Sequence, residues 1–427
     1  MLKRITIALT SMLLVTSAAQ SIELKLLAPA TYSPASGFAP GAEIHQQLYD
    51  EFEAQNPDIT IVHELLADGP DGLQRLLAAA STNNLGDVAV VDGQFLARLH
   101  AADILVSLKD RWSQEDRADF HPDVLKAVTF GEEPHAIMFQ TGMRGLIYRP
   151  SALESAGLET FPSTWEELLQ ATPAISAAGM IPVLLPAKAG DEPSMMHLLA
   201  VYWGLGGELV DPEGAPVFFD DTNGPILEKA IDRYVKMVEA GTTVSDIAVM
   251  DEAALRPYLY TGEALSIGGS SSNVRQIWSD LPDTADDLAV APYPMPDGQK
   301  AVTILGGNTY AITAADPERQ DAAWRFVEFM TSAETMSRMN EAMGHLPVRA
   351  SIWSSNDFYA ETPIMVAFKQ LYDGQLRTRP PVALYNSIST AISTQLSSVV
   401  SGAMTSEQAV SAARDLVLEE AARQSTR

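Results

Sequence analysis

A chain of 427 residues, 46% hydrophobic and 19% charged, carries material for two or three packed domains and excludes bulk disorder. Its 55 acidic against 28 basic residues give a net charge of −27, which excludes nucleic acid and anionic membrane as standing partners, because both need Lys and Arg stripes. There is no cysteine, so the fold relies on its core rather than on disulfides, and no lipid-modified cysteine anchor is available.

Lys3 and Arg4 precede an apolar run from Ile5 to Val15 and then Ser17-Ala18-Ala19. This is the pattern of a secretory signal peptide over residues 1–19, with an apolar core too short to span a bilayer. Export without an anchor leads us to expect the periplasm of a two-membrane bacterium.

Ser21–Ala28 reads as a first strand, followed by a Pro- and Gly-containing loop with Tyr32 and Ser33. Ile44, Leu48 and Phe52 recur every four residues as one face of a helix that Asn56-Pro57 stops. Ile59–Leu66 is a second strand, Asp71 opens a helix with Leu73, Leu76, Leu77 and Ala80 on one face, and Asp87–Val91 is a third strand ending at Asp92-Gly93-Gln94. Strands alternating with helices predict a helix-flanked parallel sheet, which binds ligands beyond the carboxyl ends of its strands. Here those ends are Tyr32-Ser33, the Asp68–Asp71 loop and Asp92–Gln94.

A long extended run from Ala136 to Arg149 is interrupted by Gln140-Thr141-Gly142, polar and pliable residues where a strand interior normally avoids Gly. A helix follows with two overlapping capping boxes, Ser163 with Glu166 and Thr164 with Glu167. Ile181–Leu185 reads as a strand, Ser194–Leu205 as a helix ending at Gly206-Gly207, and Pro225–Ala240 as a helix closed by Gly241. Ala264–Gly268 is a strand running into Gly269-Ser270-Ser271-Ser272-Asn273. A second broken strand, Ala301–Thr313, is interrupted at Gly306-Gly307-Asn308. Asp316-Pro317 starts another helix in cap-then-Pro order, and Thr405 with Gln408 caps the last one. The two broken strands are the natural places for the chain to cross between two bodies.

With these residues on the page, the chain resembles the extracellular solute-binding proteins of ABC importers, in the carbohydrate-binding group that includes maltose- and glycerophosphodiester-type receptors. The resemblance rests on Phe52-Glu53-Ala54-Gln55-Asn56-Pro57-Asp58-Ile59, on Gly86–Asp92, and above all on Leu146-Ile147-Tyr148-Arg149 leading through Ala156-Gly157-Leu158 to Pro162-Ser163-Thr164-Trp165-Glu166-Glu167-Leu168. Gly306-Gly307, Gly344–Arg349 and Arg379-Pro380 with Tyr385 fit later landmarks; Arg149 departs from the Asn that relatives commonly carry there.

The resemblance implies an α/β, two-lobed periplasmic-binding-protein fold of type II-like form, each lobe a helix-flanked, mostly parallel sheet. It implies an N-terminal lobe of residues 20–140 plus 304–332 and a C-terminal lobe of 141–303 plus 333–427, hinged near 138–145 and 301–308. It implies a monomeric receptor that captures a carbohydrate between the lobes, performs no chemistry, needs no cofactor, and hands its ligand to an ABC permease.

Sugars present hydroxyls and apolar ring faces, so such a receptor needs carboxylates, amides and aromatic planes. Asp71, Asp92 and Gln94 lie at strand ends, where hydrogen bonds to hydroxyls compete with plain turn chemistry. Tyr32 and Trp203 are stacking platforms or packed aromatics; Ser33 accompanies Tyr32. Gln140 and Thr141 line the cleft or merely break a ladder. Ser270 and Ser271 offer hydroxyl and N–H groups or a solvated loop, and Gly307-Asn308 lets backbone approach a ligand. His345 and Arg379 face the cleft by resemblance; Arg379, like Arg144, pairs with an anionic substituent or forms an ordinary ion pair.

The seven His residues (45, 63, 100, 121, 135, 197 and 345) show no metal spacing. Gly268–Ser272 is neither a phosphate-binding loop nor a nucleophile elbow. An exported carbohydrate-active enzyme remains the alternative, since carboxylates are plentiful, and a polyol or phosphorylated ligand remains open for the receptor.

Overall fold

The structure is a computed structural model that describes residues 21–82, 84–284 and 286–425. The expected signal peptide at 1–19 lies outside the described residues. The first lobe starts with β1 (Ile22–Ala28), α1 (Ala39–Gln55), β2 (Ile59–Leu65), α2 (Gly69–Ser81) and β3 (Val88–Asp92). β1 pairs in parallel with β2 from Ile22↔Ile59 to Ala28↔Leu65, and with β3 on its other side. Val88–Val91 are all buried, because this strand has neighbours on both edges and helices on both faces; that is why its sequence is a continuous apolar run.

The first broken strand divides as its interruption suggested. β4 (Ile137–Met138) joins the first sheet, and β5 (Arg144–Tyr148) joins a second one. That second sheet is filled out after α3 (Trp165–Ala177), β6 (Ile181–Leu184), α4 (Glu192–Gly204), α5 (Asn223–Glu239) and α6 (Glu252–Thr261). β7 (Ala264–Ser270) follows and runs directly into α7 (Ser271–Asp280), and β8 (Ala289–Ala291) completes the order β8-β5-β7-β6. The second broken strand divides in the same way: β9 (Val302–Leu305) leaves the main sheets, and β10 (Asn308–Ile312) returns to the first, giving β2-β1-β3-β10-β4.

Two expectations are corrected by the pairing. Sheets read as mostly parallel are mixed: β10 is antiparallel to β3 and β4, and in the second sheet only β6–β7 is parallel. A strand that re-enters a sheet from the opposite lobe arrives running the other way, and its side-chain period of two carries no record of direction. The helix start at Trp165 carries one capping box, Thr164 with Glu167, rather than two; Ser163 also turns its N–H and hydroxyl to Glu167, at 2.8 and 2.9 Å, so Glu166 has no part in the cap.

α8 (Pro317–Met330) covers the first sheet against β1 and β10. α9 (Ala333–Met343) packs on α1, tied to it by the Arg338–Glu51 ion pair at 2.7 Å. Residues 333–343 therefore sit against the first lobe, not the second as the sequence suggested. β11 (Gln375–Thr378) pairs in parallel with β9, and α10 (Tyr385–Val400) and α11 (Ser406–Ser425) pack on α4 and α5.

Three chain segments pass side by side between the lobes. Thr141 and Leu346 exchange both backbone hydrogen bonds at 2.9 Å, Gly142 N–H donates to Gly306 O at 3.0 Å, and the Thr141 hydroxyl donates to the same carbonyl at 2.9 Å. The third segment, at His345–Leu346, is additional to the two broken strands.

Candidate functional site

Above these crossings lies a cavity of about 220 Å³ walled by both lobes. The first lobe supplies Tyr32 from the turn after β1, Asp92 and Gln94 from the end of β3, and Asn308 from the start of β10. Gln140, Gly142, Gly306 and Gly307 come from the crossings, and Arg144, Glu192, Ser270 and Ser272 from the second lobe. His345 and Arg379 close the ring.

Tyr32 is the hub of the first-lobe wall. Its ring meets Phe139 edge-on with centroids 5.4 Å apart, and its hydroxyl accepts from Asn308 Nδ2 and from Gln140 Nε2, the latter at 3.2 Å. Burial and, behind it, the charges of Asp68 and Asp92 push its pKa well above the ordinary phenol value, so it remains a neutral hydroxyl. With both lone pairs used, what the hydroxyl still has to offer is its one proton.

Arg379 crosses the cavity between the lobes. Its guanidinium donates to both carboxylate oxygens of Asp92 and, at 3.3 Å, to Glu192 at the first turn of α4. Burial opposes its charge, but Asp92 and Glu192 outweigh burial and keep it protonated. Glu192 also accepts from Tyr385 Oη at 2.7 Å and from Ser389 Oγ; burial raises its pKa against the opposing pull of Arg379. Asn386 Nδ2 of α10 donates to Gln94 Oε1 at 3.0 Å, a second contact to the first-lobe wall beside that of Arg379.

A second ion pair lies deeper. Arg144 Nε donates to Glu252 at 2.8 Å; the same carboxylate meets His197 Nε2 at 2.9 Å, and His197 Nδ1 meets Tyr293 Oη at 2.6 Å. Burial would raise the Glu252 pKa, but Arg144 and His197 overcome it and bring it to about 2. His345 is the opposite case. Burial drives its pKa down to about 3, so it is a neutral ring, and its Nδ1 lacks a partner among the described residues.

The cavity thus gathers Tyr32, Asp92, Gln94, Gln140, Ser270, Gly307, Asn308, His345 and Arg379 of the residues singled out by sequence. The other five lie elsewhere. Ser33 is buried as a loop brace, its hydroxyl donating to Ala30 O and accepting from Ala35 N–H. Asp71 is exposed on the first turn of α2, because the helix begins two residues earlier, at Gly69. Thr141 is buried in the crossing layer, its hydroxyl spent on Gly306 O. Trp203 is buried at the end of α4 with the Arg377 guanidinium 4.5 Å over its ring, so it packs rather than stacks on a ligand. Ser271 is buried under α7, its N–H donating to Met143 O.

Glu192, Pro193, Met196 and Ser272 are lining residues that the sequence reading missed. For Glu192 a signal existed: Asp191-Glu192-Pro193 is a cap, an acid and a proline in helix-start order, and the helix does begin there rather than at Ser194.

A further cavity of about 260 Å³ opens on the far side of the Tyr32–Asn308–Asp92–Gln94 wall, along the carboxyl ends of β1, β2 and β3. Leu66, Leu73 and Phe95 give it an apolar floor, and Asp68 faces it. Among the described residues, no group of three or more His, Asp or Glu side chains is placed to hold a metal ion, and no helix is long and apolar enough to cross a membrane.

Residues 35–337 match the sequence model of the bacterial extracellular solute-binding proteins. The chain belongs to this family. Among relatives of this solute-binding protein, a probable amino-acid ABC transporter periplasmic-binding protein of Sinorhizobium fredii is 23% identical over 272 residues, 62% of this chain; the match spans only 59% of that relative's length. The sn-glycerol-3-phosphate-binding periplasmic protein UgpB of Salmonella typhimurium is 23% identical over 405 residues, 88% of each chain. The solved structure of maltose-bound MalE3 of T. maritima superposes with a TM-score of 0.79 at 23% identity, covering 93% of this chain and 99% of that chain, which shows a common two-lobed fold.

Proposed function

We propose that the cleft is the binding site for a carbohydrate, which the protein captures outside the cytoplasmic membrane and delivers to the permease of an ABC importer. The observation that carries this reading is the wall itself. Hydroxyl, amide, carboxylate and guanidinium groups from both lobes converge on one open cleft, and that mixture of fixed donors and acceptors suits a polyhydroxylated ligand.

The segments at 140–142, 305–308 and 345–346 serve as the hinge on which two lobes close over the ligand. Arg379–Asp92 and Asn386–Gln94, which bridge the lobes, accompany the closed state that a permease recognises. Asp92 and Glu192 are both committed to Arg379, which ties one carboxylate from each lobe to the same guanidinium.

A thermal-unfolding panel of mono- and disaccharides, polyols and amino acids tests this reading. A sugar or polyol that binds only the native state raises the melting temperature; a panel in which no sugar or polyol does so contradicts the proposal.

A further inference from the structure

Two arginines line the cleft, and their charges decide what it accepts. Arg379 is 5% exposed and lies between two carboxylates, Asp92 and Glu192. Arg144, 13% exposed, faces Glu252, 10% exposed. No lysine lines the cavity. His345 is neutral, and the adjoining chamber adds the carboxylate of Asp68, which has no cationic partner among the described residues. The Asp92–Arg379–Glu192 cluster sums to −1 with Glu192 ionised and to zero with Glu192 protonated. It is never positive. Arg144 with Glu252 sums to zero.

Taking the receptor reading above as its basis, we infer that Asp92 and Glu192 set the charge specificity of this site: by cancelling Arg379 they make the cleft accept neutral sugars or polyols and refuse their phosphorylated and carboxylated analogues. An anionic ligand entering here leaves its water and meets guanidinium groups already neutralised by carboxylates that cannot move away. Glu192 is fixed by Tyr385 and Ser389, and Asp92 by the Gln94 backbone N–H at 3.0 Å as well as by Arg379. The anion therefore pays desolvation and gains no unbalanced positive charge in return. A neutral hydroxyl makes no such demand: it can accept from the Tyr32 hydroxyl and donate to the outer lone pairs of Asp92. The same guanidinium without its two carboxylates would be a ready receptor for a phosphate or uronate, so the selectivity resides in Asp92 and Glu192 and not in Arg379.

The test uses matched pairs of probes on the purified full chain: glycerol against sn-glycerol 3-phosphate, glucose against glucose 6-phosphate, and galactose against galacturonate, each by calorimetric titration. For the pair whose neutral member binds, the anionic member is expected to bind at least ~100-fold more weakly, the scale of an unfavourable like-charge contact. Asp92→Asn combined with Glu192→Gln keeps the side-chain shapes, leaves one acceptor oxygen at each position and removes both charges from Arg379, and is expected to narrow that ratio by ~10-fold or more. Wild-type affinity for an anionic member equal to or above that of its neutral partner overturns the inference while leaving the receptor reading standing. An unchanged ratio in a folded double variant overturns the role given to Asp92 and Glu192. Binding of no probe in any pair overturns the receptor reading, and this inference with it.

Discussion

At the scale of single residues, Arg379 is the side chain on which most depends. Removing it leaves Asp92 and Glu192, both half-buried, without a counter-ion; breaking a fully buried pair costs about 3–5 kcal/mol, and partial exposure brings the expected cost to about 2 kcal/mol. Arg379→Ala is therefore expected to lower the unfolding free energy measured by urea titration on that scale, and a loss below about 1 kcal/mol would show that the cluster is hydrated and loosely held. The histidines give a second prediction. His345, lowered to about 3, and His45, lowered to about 4, are neutral in the fold but protonated in the unfolded chain below about 6.5. The unfolded state then binds more protons between those values, so stability is complete above pH 6.5 and is lost as pH falls. Glu252, lowered to about 2, adds loss of the same sign below about 4.5. Each tenfold change in proton affinity is worth about 1.4 kcal/mol, so melting temperature should fall steeply from pH 6.5 to 4, and His345→Gln should flatten that slope. A flat profile in the wild type would contradict the buried, neutral state of these rings. Asp92 and Gln94 were legible in the sequence because the carboxyl end of a parallel strand is a physical location that pattern alone reveals. Trp203 was not, since a helical tryptophan before Gly-Gly has the same sequence whether it faces a ligand or the core.

At the scale of elements, the breaks at Gln140-Thr141-Gly142 and Gly306-Gly307-Asn308 were readable because polar and glycine residues inside apolar strands conflict with a continuous ladder. Their partnership in space was not, and neither was the third crossing at His345–Leu346, which is too short to carry a periodicity of its own. Gly307 shows why the break needs its residue type. A Cβ there would run into the Gln140 carbonyl and come within 3.1 Å of Met138 Sδ. Gly307→Ala is expected to force the two crossings apart, reducing both the melting temperature and the affinity for sugar. A variant that keeps wild-type affinity would show that this layer does not shape the site. Strand direction was beyond the sequence for the reason given by β10, whose alternation fits either sense of pairing.

At the scale of the whole molecule, alternating strands and helices announced an α/β sheet and the two broken strands a second body, while the seating of residues 333–343 on α1 could only come from the assembled fold. The cleft draws on segments from residue 32 to residue 386, so no local window contains it. Its central claim is that one ligand touches both lobes and the crossings together. Hydrogen exchange with and without the sugar selected by the stability panel tests this most directly. Slower exchange is expected together at 92–95, 140–143, 270–273 and 306–308, with the back of α2 unchanged; protection confined to one lobe, or centred away from these segments, would contradict the account.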